Sequence, residues 1–199
     1  MEIEVKILNI DKEKIREKIK FIGGEFIKKE FQINYMFDFP DNRLYSQDGG
    51  YVRIRVSYNL YTHEKICLLT LKKIVSRKDY KIAQETEINI SDFENMKKFL
   101  EGIGMVNIRI DEKLRETYKL KNINFEIDHW AGLPPYLEVE GDTENEVKKA
   151  LELLGYNLEQ TTTINLKEAL QLYGMDWNKN LQFSDNLKKE LGCHFIMEY

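Results

Sequence analysis

The chain begins Met1-Glu2-Ile3-Glu4-Val5-Lys6, with a charged residue at every second position. This alternation predicts a β-strand with two different faces, because successive side chains of a strand point to opposite sides of the sheet. Glu2, Glu4 and Lys6 would share one face, and the aliphatic residues between them would form the other. In a single strand such a charged face usually points to water, so the other strands must show whether this face belongs to a site.

The same alternation recurs in later segments that are rich in β-forming residues. Charged residues spaced two apart stand there with apolar residues between them: Arg53 and Arg55, Glu85 and Glu87, Lys113 and Arg115, Glu126 and Asp128, Glu138 and Glu140. Lys72 lies on the face of Thr70, away from the neighbouring leucines. A helix-covered sheet turns its apolar face outward, which leaves charges of both signs to line the interior of a closed sheet. Buried charges are costly unless partners complete them, so this pattern favours a site for metals and anions.

Capping signals place single helices between these strands. Asp11 predicts a helix that ends at Gly23-Gly24, and further helices are predicted after Ser91, after Thr143 and near 165–173. Strand-like runs are found at 1–7, 31–38, 51–56, 65–73, 81–90, 104–110, 113–120, 123–129 and 136–140. The strands follow one another in pairs rather than in regular βαβ alternation, which predicts an α+β fold with an antiparallel sheet or barrel.

Composition excludes several classes of protein. The 199 residues suffice for one good-sized core, and the formal net charge of −4 offers no basic field for nucleic acid. The apolar runs are too short to span a bilayer, and the charged N-terminus lacks the apolar region of a signal peptide. Cys67 and Cys193 form neither a disulfide framework nor a metal-ligand spacing. We therefore expect a cytoplasmic enzyme or binding protein with no nucleic-acid or membrane partner; its oligomeric state is open, a homodimer included.

The ordered motifs resemble those of the CYTH family, also called triphosphate tunnel metalloenzymes. The family hallmark, an N-terminal Glu-x-Glu-x-Lys strand, is matched by Glu2, Glu4 and Lys6. The resemblance continues through residues 32–38, 52–55, 69–72, 85–87, 113–115, 128 and 136–140. It is strongest for the branch of class IV adenylyl cyclases and thiamine-triphosphatase-like proteins. It implies that residues 1–174 form an eight-stranded antiparallel closed β-tunnel with helices packed outside.

The resemblance also implies a role for each charged motif. A divalent metal, Mg²⁺ or Mn²⁺, would be held by Glu2, Glu4, Glu138 and Glu140, assisted by Glu85, Glu87 and Asp128. The phosphate chain would be bound by Lys6, Arg53, Arg55, Lys72 and Arg115, with Lys113 as a weaker candidate. The predicted catalytic residues are Lys6, Glu4 and Glu138. Carboxylates suit hard cations and guanidinium or ammonium groups suit phosphate oxygens, so these roles agree with the chemistry of the residues.

Two positions depart from the family pattern. Ala83 stands where the family often has an arginine, and Lys81, one strand repeat earlier, is the candidate to replace that contact. Asn34 stands where many relatives have an aspartate. These departures give some weight to a non-catalytic polyphosphate-binding module, whereas the presence of both acidic motifs argues against it.

The predicted function is metal-dependent hydrolysis of tripolyphosphate or of a small organic triphosphate such as thiamine triphosphate or ATP. Hydrolysis requires only a water in line with the terminal phosphorus. The alternative is a class IV-like adenylyl cyclase, which converts ATP to cyclic AMP and pyrophosphate and needs a nucleoside pocket that the sequence does not reveal. The same cage of charges can serve both reactions.

Residues 175–199 lie beyond the matched motifs and are predicted to be an extension that packs on the same domain. Trp177, Leu181 and Phe183, followed by Leu187 and Leu191, have the spacing of an amphipathic cap. One hypothesis is that this extension covers a tunnel mouth and limits substrate length. The plainer interpretation is that it only covers apolar surface.

Overall fold

Eight antiparallel strands close into a barrel in the computed structural model, which describes residues 1–193 apart from the side chains of residues 47 and 48. The strands are β1 (Glu2–Ile7), β2 (Glu25–Asp38), β3 (Tyr51–Asn59), β4 (Lys65–Arg77), β5 (Lys81–Asn89), β6 (Val106–Leu120), β7 (Ile123–Trp130) and β8 (Tyr136–Gly141). Their order around the barrel is β1-β5-β4-β3-β2-β6-β7-β8, and β8 pairs with β1. The predicted α+β fold with a closed eight-stranded tunnel is confirmed.

Short helices lie between the strands or follow them. They are α1 (Lys12–Phe21), α2 (Arg43–Asp48), α3 (Phe93–Gly102), α4 (Glu144–Leu153), α5 (Leu166–Leu172) and α6 (Asp185–Glu190), with a 3₁₀ turn at Leu158–Gln160. Asp11 and Thr143 cap α1 and α4 as predicted, and α3 is capped by Asp92. In the described part of the chain, none of the helices has the length and apolar character needed to cross a membrane.

The barrel turns its apolar face outward. Ile15 and Ile19 of α1 and Leu151 of α4 are buried in one cluster with Val5 of β1 and Val139 of β8. Each fully buried aliphatic side chain of this kind contributes roughly 1.5–3 kcal/mol relative to exposure. The helices thus cover the outer surface, and the alternate residues of each strand are left to face the interior.

Residues 104–110 and 113–120 were predicted as two strands, and this prediction is wrong because β6 runs unbroken through both. The polar pair between them resembles a turn in sequence, but each member has a partner. Asp111 is paired with Arg109 at 2.7 Å inside the barrel, and Glu112 is paired with Lys188 at 2.7 Å outside it. Strand β2 begins at Glu25, earlier than predicted, and pairs with β6 along this whole length.

The chain after Gly174 crosses one end of the barrel and is bound to β6. Leu181 donates its backbone N–H to Asp111 at 2.9 Å, and Phe183 donates its backbone N–H to Glu112 at 2.8 Å. Leu181 is buried. Of the predicted extension 175–199, residues 194–199 lie outside the described residues, and the division of the chain at Gly174 stays a prediction.

The cap of α4 offers a local test of how the sequence builds these helices. Thr143 Oγ1 accepts a hydrogen bond from the backbone N–H of Glu146 at 3.2 Å. We expect Thr143→Ala to lower the free energy of unfolding by about 1 kcal/mol, because a helix N–H loses its partner. Thr143→Ser keeps the hydroxyl and serves as the control in urea unfolding. Equal losses in both variants would contradict the capping role.

Candidate active site

A cavity of about 660 Å³ runs through the barrel, and charged side chains of both signs line it. Of the residues predicted from sequence, those that line it are Glu2, Glu4, Lys6, Arg53, Arg55, Lys72, Glu85, Glu87, Lys113, Arg115, Glu138 and Glu140. Strand parity brings them together, because directly opposite residues of neighbouring strands share a face. Their convergence is observed, while the individual roles stay predictions.

Carboxylates stand directly opposite one another where β1, β8 and β7 pair. Glu4 is the register partner of Glu140, and Glu138 is the register partner of Glu126. Like charges in such cross-strand pairs repel. This part of the tunnel is therefore stable only when protons or cations reduce its negative charge.

Three lysines supply part of that positive charge. Lys6 is bound to Glu4 and lies 2.9 Å from Glu138. Lys72 lies 2.9 Å from Glu2, and Lys81 lies 2.9 Å from Glu4. Burial opposes ionisation of the Glu4 carboxyl, but the charges of Lys6 and Lys81 outweigh it and lower the pKa of Glu4 well below its usual value.

Asp128 is the predicted site residue that does not line the cavity. It points to the same side of the sheet as Arg115, its register partner, but is fully buried there, and it accepts hydrogen bonds from Lys113 at 2.7 Å and from Arg115 at 2.6 Å. Burial raises the pKa of Asp128, but the charges of Arg115 and Lys113 outweigh this effect and lower it below its usual value. In this arrangement Asp128 holds the two basic side chains in place.

Arg53 and Arg55 contrast with the paired lysines. Among the side chains that the structure describes, no carboxylate lies within 4.0 Å of Arg55, whose Nε donates to Asn34 Oδ1 at 3.2 Å. Burial, together with the charges of Arg53 and Arg115, lowers the pKa of Arg55 to about 10. Arg53 Nε is buried without a hydrogen-bond partner, and its nearest carboxylate, Glu87, is 3.8 Å away. Two clustered guanidinium groups, of which Arg55 has no close carboxylate and Arg53 has only the distant Glu87, are suited to bind an anion.

The acidic residues fit a divalent cation by their chemistry. Burial, a hydrogen bond with Glu4 and nearby carboxylates raise the pKa of Glu2 to about 9, against the opposing charge of Lys72. Burial and the charges of Glu126 and Glu4 raise the pKa of Glu140 to about 7. Carboxylates that ionise reluctantly because they face one another are those that a bound cation stabilises.

In this structure, however, most of these acidic residues form ion pairs with basic side chains. In the part of the chain that the structure describes, no three Asp, Glu, His or Cys side chains converge at the spacing of a metal centre. Three of the four main candidate ligands instead face an ammonium group: Glu2 faces Lys72, and Glu4 and Glu138 face Lys6. The oxygen donors are therefore suitable in kind, and binding a metal would require them to separate from these partners.

Sequence reasoning ranked Lys81 below the other basic residues. Lys81 lines the cavity and is the register partner of Glu4, while Ala83 is buried opposite Glu2. The parity of β5 places Lys81 on the same face as Glu85, which is the signal that identifies it. Tyr45 and Lys167 also line the cavity, but they lie on helices outside the barrel, and no strand pattern could have revealed them.

The lumen of this closed antiparallel barrel contains opposed carboxylates, lysines and arginines. These features define a class of protein, which we call charged-tunnel proteins. The chain belongs to the CYTH domain family, whose model matches residues 1–169. Members of this family are enzymes of the triphosphatase and adenylate cyclase type, which bind triphosphates and generally use divalent metal ions.

Individual relatives agree with this assignment. A Methanocaldococcus jannaschii protein named as a candidate adenylate cyclase is 31% identical over 182 residues, which span 88% of this chain and 99% of the relative. A solved Pyrococcus horikoshii structure has a TM-score of 0.70 at 24% identity and covers 85% of this chain and 99% of its own. A Hippeastrum structure, of a candidate adenylyl cyclase with dominant triphosphatase activity, has a TM-score of 0.62 at 20% identity and covers 88% and 97%. The two structures show the shared fold.

Proposed function

We propose that this protein is a divalent-metal-dependent phosphohydrolase that cleaves tripolyphosphate or a small organic triphosphate inside the tunnel. The observation that carries the proposal is the pair of guanidinium groups of Arg53 and Arg55, which face the same cavity as the opposed carboxylates. Arg55 has no ion-pair partner among the described side chains, and Arg53 has only Glu87, at 3.8 Å. A substrate that is a polyanion and carries a metal would complete both parts of this site at once.

The basic residues would bind the phosphate chain. Arg53, Arg55 and Arg115 offer forked donors that match phosphate oxygens, and Lys6 and Lys72 offer point charges. Phosphate oxygens of the polyanion would replace the carboxylates as ion-pair partners of the lysines. The carboxylates would then be free to hold the metal: Glu2, Glu4, Glu138 and Glu140. When bound, Mg²⁺ or Mn²⁺ supplies charge neutralisation and Lewis acidity.

The chain's own residues would then direct hydrolysis. A water attacks the terminal phosphorus, the bond from that phosphorus to the bridging oxygen breaks, and the shortened phosphate chain leaves. Glu4 and Glu138, which both flank Lys6, would orient the water and accept its proton. Lys6 would stabilise the negative charge that develops on the phosphate oxygens. No covalent nucleophile is needed.

Adenylate cyclase activity is the second candidate, and it is favoured by the name of the Methanocaldococcus jannaschii relative. In that reaction the ribose 3′-oxygen attacks the α-phosphorus and pyrophosphate leaves. The same basic and acidic residues would hold ATP, but the attacking oxygen, the phosphorus that it attacks and the leaving group would differ. The products therefore distinguish the two candidates.

The test is an activity screen of the purified protein with Mg²⁺ or Mn²⁺ and three substrates: tripolyphosphate, thiamine triphosphate and ATP. Phosphate, pyrophosphate and cyclic AMP are quantified together. Phosphate release without cyclic AMP supports the phosphohydrolase, whereas cyclic AMP with an equal amount of pyrophosphate would replace it with the cyclase. Tight binding of tripolyphosphate without any turnover would indicate a non-catalytic binding module.

Arg55 provides a prediction for substrate binding. We expect Arg55→Ala to raise the dissociation constant of tripolyphosphate by about 10- to 100-fold, because a charge-assisted contact of roughly 1.5–3 kcal/mol is lost. The value is measured by calorimetry, with the exposed Lys148→Ala on α4 as a control that changes charge equally. Unchanged affinity in Arg55→Ala would contradict its role in binding phosphate.

A further inference from the structure

The tunnel wall contains an aromatic and cationic group that the phosphate chemistry does not use. Trp177, which follows α5, lines the cavity together with Tyr45 of α2 and Lys167 of α5. The centroids of the Trp177 and Tyr45 rings are 6.4 Å apart, and the ring planes meet at 31°. Lys167 Nζ lies 5.6 Å from the centroid of the Trp177 ring and 5.7 Å from that of Tyr45. These three residues form what we call the ring subsite.

Trp177 is held in position from the barrel side. The guanidinium carbon of Arg109 lies 4.2 Å from the centroid of its ring, and Arg109 also donates hydrogen bonds to the carbonyl oxygens of Trp177 and Lys179. Arg109 is buried and paired with Asp111, which accepts the backbone N–H of Leu181 at 2.9 Å. The indole is thus fixed before any ligand arrives, which reduces the entropic cost of binding.

Trp177 differs from Trp130, the second tryptophan of the chain, in its exposure and in the hydrogen bonding of its indole N–H. Trp130 also lines the cavity but is buried, and its indole N–H donates to Tyr136 Oη at 2.7 Å. Trp177 is partly exposed, and its indole N–H has no hydrogen-bond partner among the described side chains and backbone. A partly exposed indole with a free N–H in a cavity is suited to stack on a ligand and to donate to it.

The ring subsite lies close to the phosphate-binding residues. Met36 of β2 is the register partner of Arg53 on β3 and of Arg109 on β6. Arg53 and Arg109 are therefore two strands apart, or about 10 Å. A molecule whose phosphates contact Arg53 and Arg55 can extend a planar group to Trp177.

We propose that Trp177 and Tyr45 bind a planar heteroaromatic ring, so that the substrate is an organic triphosphate such as a nucleoside triphosphate rather than tripolyphosphate. Lys167 would bind an acceptor atom of that ring or the phosphate nearest to it. This inference rests on the proposed function, because the phosphate chain must occupy the tunnel for the ring to reach the subsite. Trp177 lies beyond residues 1–169 matched by the family model, so one of the two rings of the subsite belongs to the extension of this chain.

The test compares two ligands in one set of variants. Dissociation constants of the non-hydrolysable β,γ-imido analogue of ATP and of tripolyphosphate are measured by calorimetry with Mg²⁺ for the wild type, Trp177→Ala, Trp177→Phe and Phe21→Ala. Phe21 is 92% exposed on α1, away from the cavity, and Phe21→Ala is the matched control. We expect Trp177→Ala to weaken binding of the ATP analogue about tenfold, the loss typical of one stacked base. Tripolyphosphate binding should change less than about twofold, because phosphate contacts are retained.

The conservative variant and fluorescence separate stacking from a structural effect. Trp177→Phe keeps an aromatic face and should restore most of the affinity for the ATP analogue. The chain has two tryptophans, so the analogue should quench wild-type fluorescence more strongly than that of Trp177→Phe, where only Trp130 emits. If Trp177→Ala loses its cooperative unfolding transition, Tyr45→Ala carries the same prediction.

The outcomes separate this inference from the proposed function. Equal losses for both ligands, or no loss for either, would overturn the ring subsite even if tripolyphosphate is hydrolysed. A selective loss for the ATP analogue would support the ring subsite even if the screen finds no hydrolysis and overturns the proposed function.

Discussion

Replacing Glu138 by glutamine is expected to lower kcat at least about 100-fold while tripolyphosphate affinity changes only a few-fold. The carboxylate lies 2.9 Å from Lys6 and 2.7 Å from Arg115, at the junction of the acidic and basic parts of the tunnel. Glutamine keeps the shape of the side chain and removes its charge, so metal binding and proton acceptance are lost while the arginines still bind phosphate. A loss confined to kcat identifies a group that acts mainly in the transition state.

Glu4→Gln should behave in the same way, because Glu4 faces Lys6 and Lys81 across the same part of the lumen. Steady-state kinetics with Mg²⁺ or Mn²⁺ and calorimetric binding of tripolyphosphate provide the two readouts. Glu152→Gln, which removes an exposed carboxylate of α4 outside the barrel, is the matched control and should retain wild-type kinetics. Full activity in both Glu4→Gln and Glu138→Gln would show that the site assignment is wrong.

Replacing Asp128 by asparagine is expected to lower the free energy of unfolding by about 3 kcal/mol or more, the usual cost of leaving one partner of a buried ion pair uncompensated. Asp128 is fully buried and is the carboxylate bound to both Lys113 and Arg115. Arg115 keeps Glu126 and Glu138 as partners, whereas no other carboxylate within the described residues lies within 4.0 Å of Lys113. In Asp128→Asn, Lys113 can lose its proton, which removes part of the cost of burying an unpaired charge. Burial and the charge of Arg115 already lower the pKa of Lys113 to about 8.

Urea unfolding at pH 7 measures this effect, and Asp79→Asn in the exposed turn between β4 and β5 is the control. The pKa of Asp128 is lower in the folded protein than its usual value. The stabilisation that the ionised Asp128 contributes to the free energy of unfolding is therefore complete above the unfolded-state pKa of about 3.9. It is lost as the pH falls toward the folded-state pKa. The difference in the free energy of unfolding between the wild type and Asp128→Asn should therefore become smaller as the pH is lowered. Equal losses in Asp128→Asn and Asp79→Asn at pH 7 would contradict a buried supporting role.

The sequence by itself determined which residues face the lumen. A strand has a period of two, so Glu2, Glu4 and Lys6 had to share a face, and the same rule applied to each later charged pair. The apolar stripe of α1 and its cap at Asp11 likewise follow from local chemistry, and both are observed. Local sequence patterns thus predicted the features that are determined by residues close together in the chain, such as the face of a strand or the cap of a helix.

The same local reasoning failed where a partner distant in sequence decides the outcome. Asp111 and Glu112 resemble a break between strands, yet β6 continues through them because Arg109 and Lys188 compensate their charges. The pairings of Lys6, Lys72 and Lys81 with carboxylates could not be predicted either, since β1 joins β5 and β8 only when the barrel closes.

Tertiary structure alone also separated residues that look equivalent in sequence. Asp128 and Glu138 both stand in alternating acidic strands, but Asp128 is fully buried among its basic partners whereas Glu138 lines the cavity. Arg53 and Arg55 lie opposite neutral residues of the adjoining strands, so they keep their charge for a ligand. Trp177 lines the tunnel because contacts with Arg109 and with other residues of β6 hold the chain there. Strand period sets the direction of a side chain, whereas its partners depend on strand order, register and the path of the chain outside the barrel.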